Sequence, residues 1–464
     1  MDPAAIRGLR KVTTGQVIAP ADDEYEAARR VWNGMIDRRP AVIVRPRSNA
    51  DVAAAIAAAR ANGLEIAVRG GGHNISGSST VDGGLVIDLS LMTDVTVDLE
   101  RRRARVAGGA LLRHLDAATS AVGLVTPAGE VSHTGVAGLT LGGGYGYLAR
   151  MYGLACDNLV GAEVVTADGT VIRPSETTDA DLLWGLRGAG ANFGVVTSLE
   201  FRLHPLPPIL ETGDVFFARD DGPAAIRATF EIAATAPDHL YLAASTSAGR
   251  ADHNLSADRI GSPIAIVHWV YMGDRDEADR LMAPLAAAAH PIQEIPGRYA
   301  YTELQQAADE SSHHGQRWYW KSSYVGTLDD AGIEAFLGRG SSGGSLRASA
   351  EMVGLGGAIS RVGEDDTAVG HRDARFDYIA LWGWDDPADD GAIGEVRAAW
   401  QAMQPHVSAG VYLNNLGDEG DERVRSAYGE AKYARLQVLK DRYDPANIFH
   451  RNQNVRPTSG AAIA

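Results

Sequence analysis

Residues 67–79 read AVRGGGHNISGSS. Three glycines run directly into His73, and small polar residues follow. Either the glycines only let the backbone bend, or something large lies against them and His73 touches it, because glycine tolerates close approaches that a Cβ forbids. The flanks favour a strand–helix–strand entry. PAVIVRPRS (40–48) reads as a short buried strand, Ser48 or Asn49 caps a helix to about Ala61, and EIAVR (65–69) is the next strand. Upstream, Tyr25, Ala28, Val31 and Trp32 stand at helical spacing and predict a helix over 22–37.

A second glycine cluster, GVAGLTLGGGYGYLAR (135–150), follows some 65 residues later. Between the two, GLVIDLS, VTVDLE and RARVAGG read as short strands, and 110–122 as a helix. AEVVTADGTVIRPS is a hairpin turning at Asp168-Gly169, and 180–205 supplies a helix, a glycine loop and a strand. GYGYLA (144–149) fits the nicotinamide fingerprint in spacing, but no clear strand precedes it, and Glu163 begins a strand where a ribose-binding acid ends one. The first cluster has Ile75 at the third small position. Two glycine clusters bordered by small polar residues suit one long dinucleotide between two layers, with backbone N–H groups cradling its phosphates.

At 464 residues the chain exceeds what one core fills, so at least two domains are expected. A formal net charge of −16 argues against nucleic acid or an anionic membrane surface as partner. The densest basic run, RRRAR (101–105), reads as a solvated turn. No window approaches a membrane span, and MDPAAIRGLRKV lacks the apolar core of a secretory signal, so a cytoplasmic location is expected. One cysteine, Cys156, excludes an internal disulfide and reads as a buried packing residue. From about Pro208 the texture becomes GDVFFA, LYLAAS, PIAIVHWVYM and FDYIALWGWDD, with helices near 222–236 and 274–288: an antiparallel sheet carrying helices. GRGSSGGS (338–345) reads as a surface loop.

Five segments in order carry a family resemblance: VRGGGHNISGSSTVDGGLVIDLS, HTGVAGLTLGGGYGYLARMYGLACDN, LRGAGANFGVVTSLEFRLHPL, RWYWKSSYVGTL and YDPANIFHRNQNVRP. Together, over residues 18–457, they closely resemble the berberine-bridge-enzyme-like FAD-linked oxidases of the vanillyl-alcohol-oxidase superfamily, with its PCMH-type FAD-binding domain. The resemblance implies an α+β fold, a two-lobed FAD-binding domain over 1–207 (core about 36–207). It also implies a substrate domain over 208–410, with an antiparallel sheet backed by helices, and a C-terminal segment over 411–464 returning to the flavin.

It further implies a covalent bond from His73 to the flavin 8α-methyl, with Arg69, Gly70, Gly71, Gly72, Asn74, Gly77 and Ser78 around the pyrophosphate. Thr134, Gly135, Gly138, Gly142, Gly143, Asp157 and Asn158 would line the other side, with Val196, Asn452 and Asn454 completing the contacts. Many relatives add a cysteinyl bond; Val131 stands at that position here, so a single tether is expected. Gly129, two residues earlier, leaves oxygen a path and favours an oxidase. Asp377, before Tyr378 and Trp382, matches the family's base, and Tyr412 its phenol; a hydrogen bond between them would make an acid/base pair. Arg372, with His371, is expected to be structural. Trp318, Trp320, Trp382 and Trp384 hint at a flat or sugar-like substrate. Adjacent His313 and His314 lack metal spacing, and no metal is expected. The expected partners are a small molecule and O2, in a monomer or homodimer. Alternatives are an oxygenase of the same family, supported by His133 and Thr134 near the ring, a non-catalytic FAD-binding protein, and the nicotinamide dehydrogenase.

Overall fold

The computed structural model describes residues 1–338 and 347–458. The expected loop 338–345 therefore lies, beyond Gly338, outside the described residues. The chain begins with a four-stranded sheet in the order Gln16–Ile18, Val42–Arg45, Leu85–Asp88, Ile66–Arg69. The last three strands are parallel. Leu85–Asp88 is buried along its whole length, which is why it reads as an unbroken apolar run. Helix Asn49–Ala61 crosses between two of these strands, its first turn closed by Ser48, whose hydroxyl accepts from the Asp51 amide. The glycine run leaves this sheet at Arg69.

A five-stranded antiparallel sheet follows, ordered Val95–Asp98, Arg103–Ala107, Val195–Arg202, Leu159–Val165, Val171–Ile172. Its hairpin turns where expected: the Asp168 carboxylate accepts from Thr166 Oγ1 at 2.6 Å and the Thr170 amide at 3.0 Å. The second glycine cluster enters the short helix Val136–Leu141.

The remaining sheet has seven antiparallel strands, ordered Pro291–Tyr299, Leu210–Ala218, Pro263–Tyr271, Leu240–Ala248, Arg347–Gly354, Phe376–Trp384, Arg317–Val325. Helices Gly222–Thr235, Arg275–Ala288, Asp330–Leu337 and Ala392–Met403 cover one face. Strand alternation sorts the side chains. Leu242, Trp269, Met352, Tyr378, Trp382 and Trp384 pack under the helices, whereas Tyr241, Val270 and Val353 join Tyr147 and Leu148 of the flavin-side region. Trp382 and Trp384 are thus core residues and not part of a substrate pocket. Helix Glu430–Tyr443 stops at Asp444, whose carboxylate accepts from the Ile448 and Phe449 amides and from Lys440. Lys440, fully buried, also donates to the Asn192 and Phe449 carbonyls, and so clamps the tail onto the first region.

The helix expected over 22–37 is a correction. Only Tyr25–Ala28 is helical. Beyond it the chain bends and turns against strand Arg317–Val325 of the seven-stranded sheet: the Gly34 amide donates to the Gln316 carbonyl, and Asn33 donates to the carbonyls of Ile75 and Trp318. Trp32 packs with Ile75 and Trp318, so its apolar character serves a seam between elements and no helix face.

Candidate functional site

A cavity of about 420 Å3 opens between these regions, within the size range of small-molecule sites. Both glycine clusters reach it. Gly71 and Gly135 are pressed backbone to backbone: a Cβ on Gly71 would stand 2.3 Å from the Gly135 nitrogen, and one on Gly135 2.3 Å from the Gly71 nitrogen. Gly72 turns the chain at φ +74, in the left-handed region. Gly138 differs, because a Cβ there would meet no atom within 4 Å; the position faces open cavity. Gly70, Gly71, Gly72, His73, Asn74, Ser78, Gly129, Thr134, Gly135, Gly138, Gly142, Tyr412 and Asn452 all line this space. Val131, at the position of the relatives' cysteine, lines it too.

His73 is held by its ring. Trp32 stacks on it at 4.8 Å with planes 16° apart, and Trp318 backs Trp32 at 5.8 Å. Its Nε2 lies 2.6 Å from His133 Nδ1, while its Nδ1 has only a 3.5 Å contact with Thr134 Oγ1. Burial, then His133 and His314, holds the imidazole well below its usual pKa and therefore neutral. His314, just before strand Arg317–Val325 of the seven-stranded sheet, closes the group, its ring 5.1 Å from that of His133. The donor nitrogens of His73, His133 and His314 lie within 4.8 Å of one another, a set that could hold a metal ion. The adjacency of His313 and His314 gave no sign of this convergence, and the expectation of no metal did not weigh it.

Asp377 has no exposed surface and does not line the cavity. Its carboxylate accepts from Ser322 Oγ at 2.6 Å, Tyr145 Oη at 2.8 Å and Asn415 Nδ2 at 2.7 Å. Burial outweighs these three bonds and pushes its pKa up to about 6. Tyr145 and Asn415 do line the cavity, so Asp377 stands one side chain behind its wall. The expected Asp377–Tyr412 bond is absent. Tyr412 Oη accepts from the Gly144 amide at 2.6 Å and Asn414 Nδ2 at 2.9 Å, and its ring lies 4.6 Å from that of Tyr145. Tyr145 takes the place assigned to Tyr412 because Tyr412, at the start of the short turn Leu413–Asn415, lies against the glycine run, where a Cβ on Gly143 would stand 2.9 Å from its ring.

Several residues expected at the flavin do not line this cavity. The Arg69 side chain donates to the Ala28 carbonyl at 2.6 Å; the expectation concerned its backbone, which leads strand Ile66–Arg69 into the glycine run. Gly77 packs on Ile36. Asp157 is bound bidentately by Arg372 at 2.6 and 2.8 Å. Asn158 donates to the Tyr152 and Leu154 carbonyls and accepts from His204. Val196 belongs to the core of the five-stranded sheet, and neither Gly143 nor Asn454 lines the cavity. Cys156 is fully buried. Trp318 and Trp320 do face the cavity, Trp320 donating to the Asn415 carbonyl. Sequence reasoning also missed Glu130, a cavity-lining acid that burial lifts to about 7 and Tyr241 hydrogen-bonds. An acid next to Gly129 was the available signal.

Residues 40–175 match the FAD binding domain family, and residues 411–456 the family described as berberine and berberine like. (R)-6-hydroxynicotine oxidase of Paenarthrobacter nicotinovorans is 32% identical over 459 residues, covering 96% of this chain and 97% of that protein. A FAD-linked oxidoreductase of Dictyostelium discoideum is 29% identical over 447 residues, covering 96% and 95%. The crystal structure of 6-hydroxy-D-nicotine oxidase from Arthrobacter nicotinovorans superposes with a TM-score of 0.86 at 32% identity, covering 96% and 98% of the two chains. Chitooligosaccharide oxidase, at 24% identity and a TM-score of 0.85 over 98% and 100%, shares the fold. The fold and site are those of an FAD-linked oxidoreductase with the mixed α/β architecture of the PCMH-type superfamily. The chain belongs to its berberine-bridge-enzyme-like family of oxidases. The residues present fit FAD: Gly138 opens onto the cavity, and Ser79 Oγ and Asn452 Oδ1 on its wall are buried with no partner.

Proposed function

We propose that the protein is an oxidase with FAD tethered singly through His73, oxidising a small organic alcohol, phenol, amine or sugar at a carbon bearing an O–H or N–H group. When bound, the flavin accepts a hydride equivalent at N5 and passes the electrons to O2 as hydrogen peroxide. The observation that carries this reading is the 2.8 Å bond from Tyr145, on the cavity wall, to Asp377, a buried carboxylate near pKa 6. A substrate O–H or N–H hydrogen-bonds to Tyr145 Oη; as its proton moves to that oxygen, the phenolic proton moves to Asp377 Oδ2. Tyr145 is held well above its ordinary pKa by burial and by Asp377, so it relays the proton and does not rest as phenolate.

Asn415 orients Asp377 from the same wall. Tyr412, accepting from two donors, fixes the second glycine run. Trp318, Trp320 and Leu381 make an apolar rim for the carbon skeleton. The names of relatives that oxidise a hydroxynicotine or sugar oligomers support this breadth of substrate. Purified protein is precipitated with acid, then assayed with a panel of sugars, phenols and cyclic amines for peroxide. Yellow colour in the pellet, lost in His73→Ala, and peroxide with at least one class are expected. A colourless wild-type pellet overturns the tether, and peroxide formation unaffected in Asp377→Asn overturns the base.

A further inference from the structure

The His73–His133–His314 group lies at the edge of the cavity and takes no part in the proton relay of Tyr145 and Asp377. We propose that His133 is the positioning base for self-catalysed flavin attachment, directing the bond to Nδ1 of His73 and removing the proton from Nε2. The inference rests on the tether proposed above.

The geometry supplies each part. Stacking of Trp32 fixes the plane of the His73 ring, so the two nitrogens cannot exchange places without breaking that stack. His73 Nε2 and His133 Nδ1 lie 2.6 Å apart; in this proposal Nε2–H is the donor, since the partner of a ring nitrogen sets the tautomer. That leaves the lone pair on Nδ1, which has a long 3.5 Å contact with the Thr134 hydroxyl. In the reaction His73 Nδ1 bonds to the 8α carbon and one methyl C–H bond breaks. The methyl proton leaves to solvent water, and the electron pair of that C–H bond enters the ring system. O2, the oxidant of the proposed activity, takes up this pair with two protons to give hydrogen peroxide. The alkylated imidazole would carry a positive charge until Nε2–H passes to His133. The His133 ring, hydrogen-bonded to the Asp309 backbone, stands 5.1 Å from that of exposed His314, which gives the proton a way out to solvent.

The charged neighbours are Arg113 and Asp309 around His133, and His313 and Arg113 around His314. None replaces His133 at Nε2 of His73. The test follows covalent flavin with time, as fluorescence of the denatured band after addition of FAD, in wild type, His133→Ala and His133→Gln. Reversible FAD binding is titrated in parallel. His133→Ala is expected to bind FAD within about twofold of wild type and to attach it about 10²-fold more slowly, the usual worth of a positioned base. Free imidazole should restore part of the rate. His133→Gln, which accepts the Nε2 hydrogen bond but cannot take the proton, should hold the tautomer and remain slow; it serves as the folded control. NMR of the isolated flavin peptide is expected to show attachment at Nδ1. Wild-type attachment rates in both variants, or attachment at Nε2, would overturn the assignment while leaving the tether standing. A wild type that releases all its flavin overturns the tether as well.

Discussion

In the proposed mechanism Asp377 concentrates the proton chemistry of the site in one carboxylate. Its folded pKa, about 6, lies above the usual carboxylate value because burial outweighs three hydrogen bonds. As a base it works in the ionised form, so turnover should rise with pH through an apparent pKa near 6 and fall away below it; a kcat profile measures this. Asp377→Asn keeps an acceptor toward Tyr145 and Asn415 and can turn its amide toward Ser322 Oγ. It should retain FAD and lose about 10²–10⁴ in kcat. The stability sign is opposite. A raised carboxyl pKa contributes stability that is fully present below the unfolded value and is lost as pH rises through about 6. Thermal unfolding of wild type against Asp377→Asn should therefore show the wild-type advantage shrinking from about pH 4 to about pH 8, by up to roughly 3 kcal/mol for a two-unit shift. Tyr145→Phe should reproduce most of the kinetic loss with little change in stability. Asp377 could be singled out because the family resemblance matches it, next to Tyr378 and ahead of Trp382, to an acid of the relatives. Tyr145 was not, since its partner lies 232 positions away and local pattern carries no register between separate elements.

The two glycine runs act as one element, and substitutions within it should separate packing from cofactor space. Gly71→Ala forces a Cβ to 2.3 Å from the Gly135 backbone nitrogen, where nothing flexible can yield. Apo-protein melting should drop sharply and FAD binding be lost with it. Gly138→Ala sits in helix Val136–Leu141 facing open cavity. Alanine in a helix interior gains up to about 1 kcal/mol over glycine, so the apo-protein should melt higher while FAD uptake falls. A Gly138→Ala protein that takes up FAD like wild type would place the flavin elsewhere. Glycine spacing made the clusters visible in sequence, and the strands around them followed from apolar runs and turn residues. The segment after Ala28 defeated the same logic: Val31 and Trp32 have helical spacing, but tertiary contacts to Gln316 and Trp318 claim that backbone and those side chains.

At the scale of the molecule, the site exists only where the seven-stranded sheet meets the flavin-side region, and that meeting could not be read from sequence. The strand order interleaves positions far apart in the chain, so which tryptophans face the cavity depends on pairings such as Trp318 with Gly383. Asp157 shows the consequence. Its position in YGLACDN pointed to the flavin, yet it is paired bidentately with Arg372, at side-chain exposures of 7% and 4%. Arg372 also reaches Thr367 and the Ile359 carbonyl, tying the approach to strand Phe376–Trp384 onto the segment that follows the second glycine run. Asp157 further accepts from the Leu154 amide at 2.8 Å. Removing one partner of a buried pair leaves an uncompensated charge and typically costs about 3–5 kcal/mol. Asp157→Ala should therefore lower unfolding free energy by that order. Asp157→Ala combined with Arg372→Met, which leaves no orphaned cation, should recover a substantial part of it. FAD titration of the double variant discriminates the two roles: affinity within about threefold of wild type, roughly 0.6 kcal/mol, assigns Asp157 to the joint between the regions. A loss that persists after stability is restored would return it to the flavin.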